Sequence, residues 1–195
     1  MKIVIIDYGA GNIQSIQFAI QRLGYQSVLS NDPEVIQAAD KVIFPGVGEA
    51  SSAMNKLKAT GLDTLIPNLE QPVLGICLGM QLMCNGSEEG DTHGLGIFDV
   101  DVVKFDHGVK VPQIGWNQIS DLKSHLFDGV KENEYMYLVH SFYAPVCNET
   151  IATTDYGLKY ATALQKKNFY GVQFHPEKSS EAGARILENF LKLES

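Results

Sequence analysis

The stretch QPVLGICLGMQLM, residues 71–83, decides the fold, because its hydrophobic pattern changes from that of a strand to that of a helix within two residues. It starts as a short apolar run, which is typical of a buried strand in a parallel sheet. Helical spacing begins at Leu78. Cys77 stands at the corner, between Gly75 and Gly79. This G-x-C-x-G pattern is the thiol counterpart of the nucleophile elbow, a sharp turn that exposes a nucleophile at the edge of a sheet.

Strand and helix patterns alternate around this corner through the first half of the chain. The predicted strands are 2–6, 27–29, 41–44 and 73–76, and the predicted helices are 12–23, 49–59 and 62–69, together with helices that begin at residues 33 and 78. This alternation predicts an α/β fold with an open, mostly parallel sheet between two helical layers. In such sheets the active site lies beyond the carboxyl ends of the strands, here at loops 8–12 and 45–49 and at residue 77.

The second half carries short β-like runs rather than strand–helix units. They are 98–105, 118–119, 135–139, 151–154, 161–164 and 169–174, followed by a closing helix at 183–193. These runs either extend the sheet or form a small antiparallel patch. We expect a single domain over residues 1–195, with no repeat and no linker.

Composition excludes several classes of function. The formal net charge is −8 with no dense cluster of Lys and Arg, which argues against nucleic acid and anionic membranes as partners. No apolar stretch approaches the roughly 18 residues of a membrane span, and the apolar start is interrupted by Asp7 and resembles a strand rather than a signal peptide. The 3 cysteines include no CxxC pair, so we expect a reduced, cytoplasmic protein without a metal or other cofactor.

The corner thiol has a candidate base and orienting group far along the chain. A thiol at the start of a helix faces free N–H groups and the positive end of the helix dipole, which makes it a better nucleophile. His175 follows the last predicted strand, at the same sheet edge, and Glu177 can bind its second ring nitrogen. This set predicts thioester chemistry on an amide or ester carbonyl. The alternative for Cys77 is a small buried hydrophobe, the commoner role of cysteine.

A second loop supplies candidates for an oxyanion hole. The turn FPGVGE follows the strand at 41–44 and falls at the same edge of the sheet. Its backbone N–H groups, from Val47 or Gly48, could act together with the N–H of Leu78 on a developing oxyanion.

Other chemistry-bearing residues have simpler interpretations. Cys84, two helical turns after the corner, is expected in the core, and His140, after an apolar strand, is expected to be structural. His107 lies in a polar context and is expected at the surface. GAGN at residues 9–12 resembles the start of a dinucleotide loop, but Gln14 occupies the place of the third glycine.

The motifs together resemble a known family. GICLGMQ at 75–81, FHPEKS at 174–179 and the Pro-Gly turn resemble the class I (triad) glutamine amidotransferases. More narrowly, IDYGAGNIQSI at 6–16, PGVG at 45–48 and VPQIGWNQI at 111–119 are similar to the glutaminase subunits of imidazole glycerol phosphate synthases, which act in histidine biosynthesis. The resemblance covers essentially the whole chain and implies the three-layer, flavodoxin-like fold of that family.

The resemblance implies roles for individual residues. It makes Cys77 the nucleophile on the glutamine amide, His175 the proton carrier and Glu177 its orienting group. It assigns the oxyanion hole to Val47, Gly48 and Leu78. Glutamine binding is assigned to Gln81, Glu89, Ser141 and Phe142, and an acid such as Glu89 suits a cationic α-amino group.

The resemblance also implies a partner. In this family ammonia passes to a separate (β/α)8-barrel cyclase subunit, and this chain is too short to contain such a barrel, which typically takes about 250 residues. The residues implied on or near the docking face are Asn12, Trp116, Asn117 and Lys178. Trp116 suits an interface anchor, with a core aromatic as the alternative. Gln113 departs from the family, whose members often carry His there.

Three other functions are compatible with parts of the pattern. The chain could serve a different synthase, such as one for anthranilate, aminodeoxychorismate or pyridoxal phosphate. It could be an idle subunit that keeps the fold and regulates a partner. It could also be a cysteine peptidase of similar fold.

Overall fold

A computed structural model of the chain describes residues 1–9, 11–106 and 108–194. Ala10, in the loop predicted at 8–12, and His107, predicted at the surface, lie outside the described residues. In chain order the strands are β1 (Ile3–Ile6), β2 (Ser27–Ser30), β3 (Lys41–Phe44), β4 (Val73–Ile76), β5 (Cys84–Ser87), β6 (Thr92–His93), β7 (Phe98–Lys104), β8 (Gln113–Ile119), β9 (Glu134–His140), β10 (Phe142–Tyr143), β11 (Thr150–Asp155), β12 (Lys159–Lys166) and β13 (Phe169–Val172). The α-helices are α1 (Ile13–Arg22), α2 (Pro33–Gln37), α3 (Ala50–Thr60), α4 (Leu62–Leu65), α5 (Leu78–Leu82) and α6 (Ser180–Lys192).

The central sheet has the strand order β11-β12-β13-β4-β3-β1-β2 within the described part of the chain. The strands from β13 to β2 run parallel, whereas β11 and β12 pair antiparallel at one edge. Every residue of β1, β3, β4 and β13 is buried, because helices cover both faces of this part of the sheet. The predicted α/β fold with a mostly parallel sheet is confirmed.

Two hydrophobic clusters, one on each face of the sheet, make the three layers. Successive side chains of β1 alternate between them, with Val4 and Ile6 in one cluster and Ile3 and Ile5 in the other. The helices α2, α3 and α4 close the first cluster, and α1 and α6 close the second. The crossovers therefore place helices on both faces and leave the carboxyl ends of the strands open.

Several helix ends lie where local sequence predicts them. Asp32 caps α2, and its carboxylate accepts a hydrogen bond from the Glu34 N–H at 2.9 Å. Glu49 caps α3 and accepts from the second and third residues of that helix. Gly61 ends α3 in the left-handed conformation, with a φ of 70°. These ends form as predicted because capping depends on residues within one helical turn.

The second half both extends the sheet and forms separate β structure. The strands β11 and β12 add to the central sheet, while β10, β7, β5 and β6 form a smaller sheet and β8 and β9 form an antiparallel ribbon. Only residues 118–119 of β8 are predicted as strand from the sequence, although the strand spans Gln113–Ile119. The exposure of β8 explains this difference. Its five interior residues, 114–118, are all at least partly exposed, so the strand has no buried face that would mark it in the sequence.

Cys84 is buried, as predicted, but it does not lie in a helix. The helix α5 ends at Leu82, and Cys84 begins β5, which pairs with β7. The pairing of β5 with β7 therefore ends α5 after a little more than one turn, although the helical pattern of the sequence continues. None of the helices in the described residues is long and apolar enough to cross a membrane.

Candidate active site

Cys77 lies at a sharp turn where β4 meets α5. Its backbone has a φ of 53° and a ψ of −111°, a conformation that residues other than glycine rarely adopt. The Cys77 N–H donates to the Val172 carbonyl oxygen at 2.8 Å, which continues the parallel pairing of β4 with β13. The turn aims the side chain out of the sheet at the start of α5, as the elbow pattern predicts.

The flanking glycines allow α5 to approach the sheet. A Cβ atom at Gly79 would lie 2.0 Å from the Phe44 carbonyl oxygen, and one at Gly75 would lie 2.6 Å from the Met83 sulfur. Neither position has room for a side chain. The two glycines therefore serve the close helix–sheet packing that the sequence predicts.

The structure brings His175 and Glu177 to Cys77. The chain leaves β13 beside β4, which carries His175 to the same sheet edge as the thiol. His175 Nδ1 lies 2.9 Å from Glu177 Oε1, and both side chains are almost fully buried, at 6% and 1% exposed. Because Glu177 binds Nδ1, the other ring nitrogen is available to the Cys77 sulfur.

The surroundings of His175 favour its protonated form. Burial lowers the pKa of the imidazole, but its hydrogen bonds to Cys77 and Glu177 and the charges of these groups outweigh burial and raise that pKa to about 10. The imidazole beside the Cys77 sulfur therefore holds a proton at neutral pH. Such a pair is ready for nucleophilic attack by sulfur and for proton delivery to a leaving group.

A cavity of about 380 Å³ opens over the sulfur. Of the residues predicted to form the site, it is lined by Val47, Gly48, Cys77, Leu78, Gln81, Glu89, Ser141, Phe142, His175 and Lys178. Glu177 lies on the Nδ1 side of the imidazole and borders a second surface depression, which Lys178 also lines. The cavity therefore gathers residues from several separate segments of the chain around one thiol.

Gln81 and Glu89 present oxygen atoms suited to an ammonium group. The Gln81 Nε2 donates to the Phe142 carbonyl oxygen at 2.9 Å and to the Gln173 Oε1 at 2.8 Å, so its two protons are engaged. Its own oxygen is left as an acceptor. Glu89 accepts from the Ala50 N–H at 2.9 Å, and partial burial raises the pKa of its carboxyl group. A cation in the cavity would favour the ionised carboxylate.

Tyr8 holds the 45–48 turn against the start of α5, a role that the sequence alone did not indicate. Its hydroxyl donates to the Pro45 carbonyl oxygen at 2.9 Å. Burial raises the pKa of Tyr8, and the nearby Cys77 raises it further. Gly46 fits closely, because a Cβ atom there would lie 2.7 Å from the Gly79 nitrogen. Gly48 has a φ of 102°, a conformation that residues with a side chain rarely adopt, and a Cβ atom built there would meet no atom within 4 Å.

His140 also borders the cavity, as a neutral ring. Its Nδ1 lies 2.7 Å from the Phe142 carbonyl oxygen and its Nε2 lies 3.2 Å from the Tyr160 hydroxyl. Burial lowers the pKa of His140 to about 4. These contacts agree with the predicted structural role. The His140 ring fixes the Phe142 carbonyl group, which also accepts the hydrogen bond from Gln81.

We expect His140 to make folding stability depend on pH below neutrality. Its pKa is about 4 in the folded chain and 6.5 in the reference state, so the unfolded chain binds more protons and the free energy of unfolding falls as pH drops. From pH 7 to pH 5 the His140 contribution to this loss should be about 2 kcal/mol, whereas the raised pKa of His175 acts in the opposite direction. Urea unfolding of the unsubstituted chain and of His140→Asn at both pH values gives the His140 contribution as the difference between their pH slopes. His140→Asn keeps a nitrogen for the Phe142 carbonyl but cannot titrate, so an unchanged pH slope in this variant would contradict the assignment.

The four residues predicted for partner contact occupy different environments. Trp116 is 52% exposed on β8, with its ring edge-on to Tyr137, so the core alternative for this tryptophan is wrong. Trp116 and Lys178 border the same surface depression. Asn12 precedes α1 and accepts a hydrogen bond from Ser15, and Asn117 donates to the Asp155 carbonyl oxygen.

Two polar residues lie buried near the site: Gln113, at the position where the sequence departs from the family, and Gln173, which the sequence did not indicate. Gln113 is buried, and its side-chain amide lies 2.9 Å from the Tyr160 hydroxyl, which also contacts His140 behind the cavity. Gln173 is fully buried, and its amide nitrogen lies 3.7 Å from the Cys77 sulfur. A polar residue within the apolar run predicted as a strand at 169–174, two positions before His175, is the signal that could have identified Gln173.

Comparison with known sequences identifies close relatives. Residues 4–193 match the family described as glutamine amidotransferase class-I. The chain is 58% identical over 196 residues to imidazole glycerol phosphate synthase subunit HisH of Bacteroides thetaiotaomicron, covering 99% of this chain and 100% of the relative. It is 48% identical to the subunit of the same name from Yersinia pseudotuberculosis, with the same coverage.

Comparison with solved structures supports the fold. The structure matches that of a putative GMP synthase protein from Thermoplasma acidophilum with a TM-score of 0.75, at 21% identity, over 98% of this chain and 92% of that one. It matches a structure of PurLQS from Thermotoga maritima with a TM-score of 0.74, at 13% identity, over 97% of each chain. At these identities the likeness concerns the fold alone.

Proposed function

The chain belongs to the class-I glutamine amidotransferase family, and on this premise we propose that its cavity hydrolyses glutamine to supply ammonia to imidazole glycerol phosphate synthesis. The chain acts as the glutaminase subunit of that synthase. Identity of 58% over the full length of a relative with this name supports the assignment over a different synthase. The single structural observation that carries the chemistry is the contact of Cys77, at a strained turn, with a His175–Glu177 pair.

The first half of the reaction follows from the position of the proton. The Cys77 sulfur, as the thiolate, attacks the side-chain amide carbon of glutamine. The negative charge that develops on the amide oxygen is met by the N–H of Leu78 and by an N–H of Val47 or Gly48. The imidazolium of His175 then protonates the amide nitrogen, ammonia leaves, and the acyl group remains on sulfur as a thioester.

The second half returns the proton. The neutral imidazole of His175 removes a proton from water, and the resulting hydroxide attacks the thioester carbon. Glutamate leaves as the C–S bond breaks, and the imidazolium and thiolate are restored. Glu177 fixes the ring orientation in both halves and stabilises the imidazolium. Gln81 and Glu89 hold the α-amino end of glutamine, with Ser141 and Phe142 completing its contacts.

The partner is a (β/α)8-barrel cyclase, which consumes the ammonia with a phosphorylated ribosyl-aminoimidazole-carboxamide substrate. The products are imidazole glycerol phosphate and the aminoimidazole carboxamide ribotide. Docking involves Asn12, Trp116, Asn117 and Lys178, and rotation of the 45–48 turn at Gly48 completes the oxyanion hole when the partner is bound. The isolated chain should therefore hydrolyse glutamine far more slowly than the complex.

A capture experiment tests the proposed function. The tagged chain is used to capture partners from a cell extract, and glutamine hydrolysis is assayed with and without the captured protein. Capture of a barrel cyclase with strong stimulation of hydrolysis is the expected result. Equal rates for the isolated chain and the complex would contradict activation by the partner, and no hydrolysis in the purified complex would contradict the function itself.

Trp116→Ala should weaken assembly with the cyclase by about 30-fold or more, because an exposed aromatic ring on a strand is typical of an interface anchor. It should lower the free energy of unfolding by only about 0.5 kcal/mol, since half of the Trp116 surface is already in water. Calorimetric titration and urea unfolding measure the two quantities. Val146→Ala is the matched control, because Val146 is also 52% exposed, and a Trp116 variant that binds like this control would refute the anchor role.

A further inference from the structure

We propose that Gln173 is a further catalytic residue, which donates a hydrogen bond from its side-chain amide to the thiolate of Cys77. This proposal rests on the proposed function and adds to it a residue that contacts the reacting sulfur. The Gln173 Nε2 lies 3.7 Å from Cys77 Sγ, and the Gln173 side chain has no exposure to solvent. No water can therefore replace this donor without rearrangement of the core.

Neighbouring groups determine which end of the Gln173 amide faces the sulfur. The Phe142 carbonyl oxygen can only accept, so the group that Gln81 directs to it at 2.9 Å must be its NH₂. The second proton of that NH₂ points to Gln173 Oε1 at 2.8 Å. The oxygen of Gln173 is thereby committed to Gln81. Its NH₂ is left facing the sulfur, and a flipped amide would place two NH₂ groups together.

The Phe142 carbonyl itself is held by a second donor. His140 Nδ1 lies 2.7 Å from this oxygen, and because a carbonyl oxygen can only accept, the proton of the neutral ring lies on that nitrogen. The chain of hydrogen bonds that links His140, Phe142, Gln81 and Gln173 therefore has a defined direction at each step. At the end of this chain of hydrogen bonds, an N–H of the Gln173 amide faces the Cys77 sulfur.

The other polar groups described at the sulfur cannot serve as a permanent donor to the thiolate. The Val139 carbonyl oxygen lies 3.8 Å from Cys77 Sγ and can serve only the protonated thiol, as an acceptor. His175 gives its proton away when ammonia leaves. Gln173 is the donor that stays in place throughout the cycle, so it stabilises the thiolate at rest and again when glutamate departs.

Gln173→Met tests the proposal, since it keeps the volume and removes the donor. Loss of one hydrogen bond to a charged atom should lower kcat by about 10- to 100-fold. Gln81 loses its bond to Gln173 Oε1 but keeps its bond to Phe142, so KM should change less than kcat. The rate of Cys77 alkylation by iodoacetamide, followed on the Cys77 peptide by mass spectrometry, should reach half its maximum about one pH unit higher than in the unsubstituted chain. An unchanged midpoint in a folded variant would overturn the proposal.

Other ionisable groups face the same cavity or the sulfur and are common to all variants. They are Tyr8, Glu89, His140, His175 and Lys178. Gln165→Met is the matched control, because Gln165 is a glutamine with two side-chain hydrogen bonds, with Ser124 and Tyr170, and it lies partly buried outside the cavity. This control should keep both kcat and the alkylation midpoint.

A second variant covers the case in which Gln173→Met does not fold. Gln173→Glu keeps the shape but places a carboxylate beside the sulfur, so it should raise the alkylation midpoint further and lower kcat more. A midpoint equal to that of the unsubstituted chain would again overturn the role of Gln173. Alkylation needs neither glutamine nor cyclase, so this outcome is distinct from failure of the proposed function, which would appear as an unsubstituted complex without glutaminase activity.

Discussion

Replacing Cys77 by alanine should abolish glutamine-dependent turnover of the synthase complex while turnover with added ammonium salts continues. The substitution removes the nucleophile, and no other group described in contact with His175 can form the acyl intermediate. Loss of a nucleophile that works with a base costs on the order of four orders of magnitude or more in kcat. Ammonia from solution bypasses this step, because the cyclase chemistry takes place on the other subunit. Steady-state assays of the complex with either nitrogen source measure both rates.

Cys147→Ala provides the control for this experiment. Cys147 is a partly buried thiol in hydrogen-bond contact with Glu149 and Thr150, away from the cavity. Its alanine variant should keep both activities. Loss of both activities in Cys77→Ala would contradict the division of labour between the subunits, and retained glutamine-dependent turnover would remove Cys77 from the mechanism.

Gly79→Ala should lower both the free energy of unfolding and the glutaminase rate, because it forces α5 away from the sheet. This is the second-largest effect that we expect. The added Cβ atom would lie 2.0 Å from the Phe44 oxygen and 3.0 Å from the Phe44 carbonyl carbon, and both are backbone atoms that cannot rotate aside. We expect the free energy of unfolding to fall by about 3 kcal/mol. A shift of α5 also moves the Leu78 N–H and Cys77, and a displacement of about 1 Å costs roughly 100-fold in rate. Urea unfolding and the glutaminase assay of the complex measure the two effects.

Gly108→Ala is the matched control for the glycine substitution. Gly108 is exposed, and no described atom beyond its chain neighbours lies within 4 Å of a Cβ built there. This variant should change the free energy of unfolding by less than about 0.5 kcal/mol. If Gly79→Ala were equally mild, the close approach of α5 to β3 would not be required for the fold.

Much of the first half of the fold could be predicted, because its signals are local. Apolar runs of four residues mark β1, β3 and β4, and capping residues such as Asp32 and Glu49 mark helix starts within one turn. The elbow at Cys77 is likewise encoded by adjacent residues. The extent of β8 and the early end of α5 could not be predicted, because partners distant in sequence, β9 and β7, decide them.

The sequence by itself determined the α/β class, the corner that holds Cys77 and the identity of His175 and Glu177 as its candidate partners, since each depends on short-range patterns and motifs. Only the tertiary structure decided which polar groups reach the sulfur. Gln173 is 96 residues from Cys77 in the chain, and their contact exists because β13 pairs with β4 in one particular register. The direction of its amide depends further on Gln81, Phe142 and His140. Such convergence is a property of packing, so it cannot be obtained from the periodicity of any single segment.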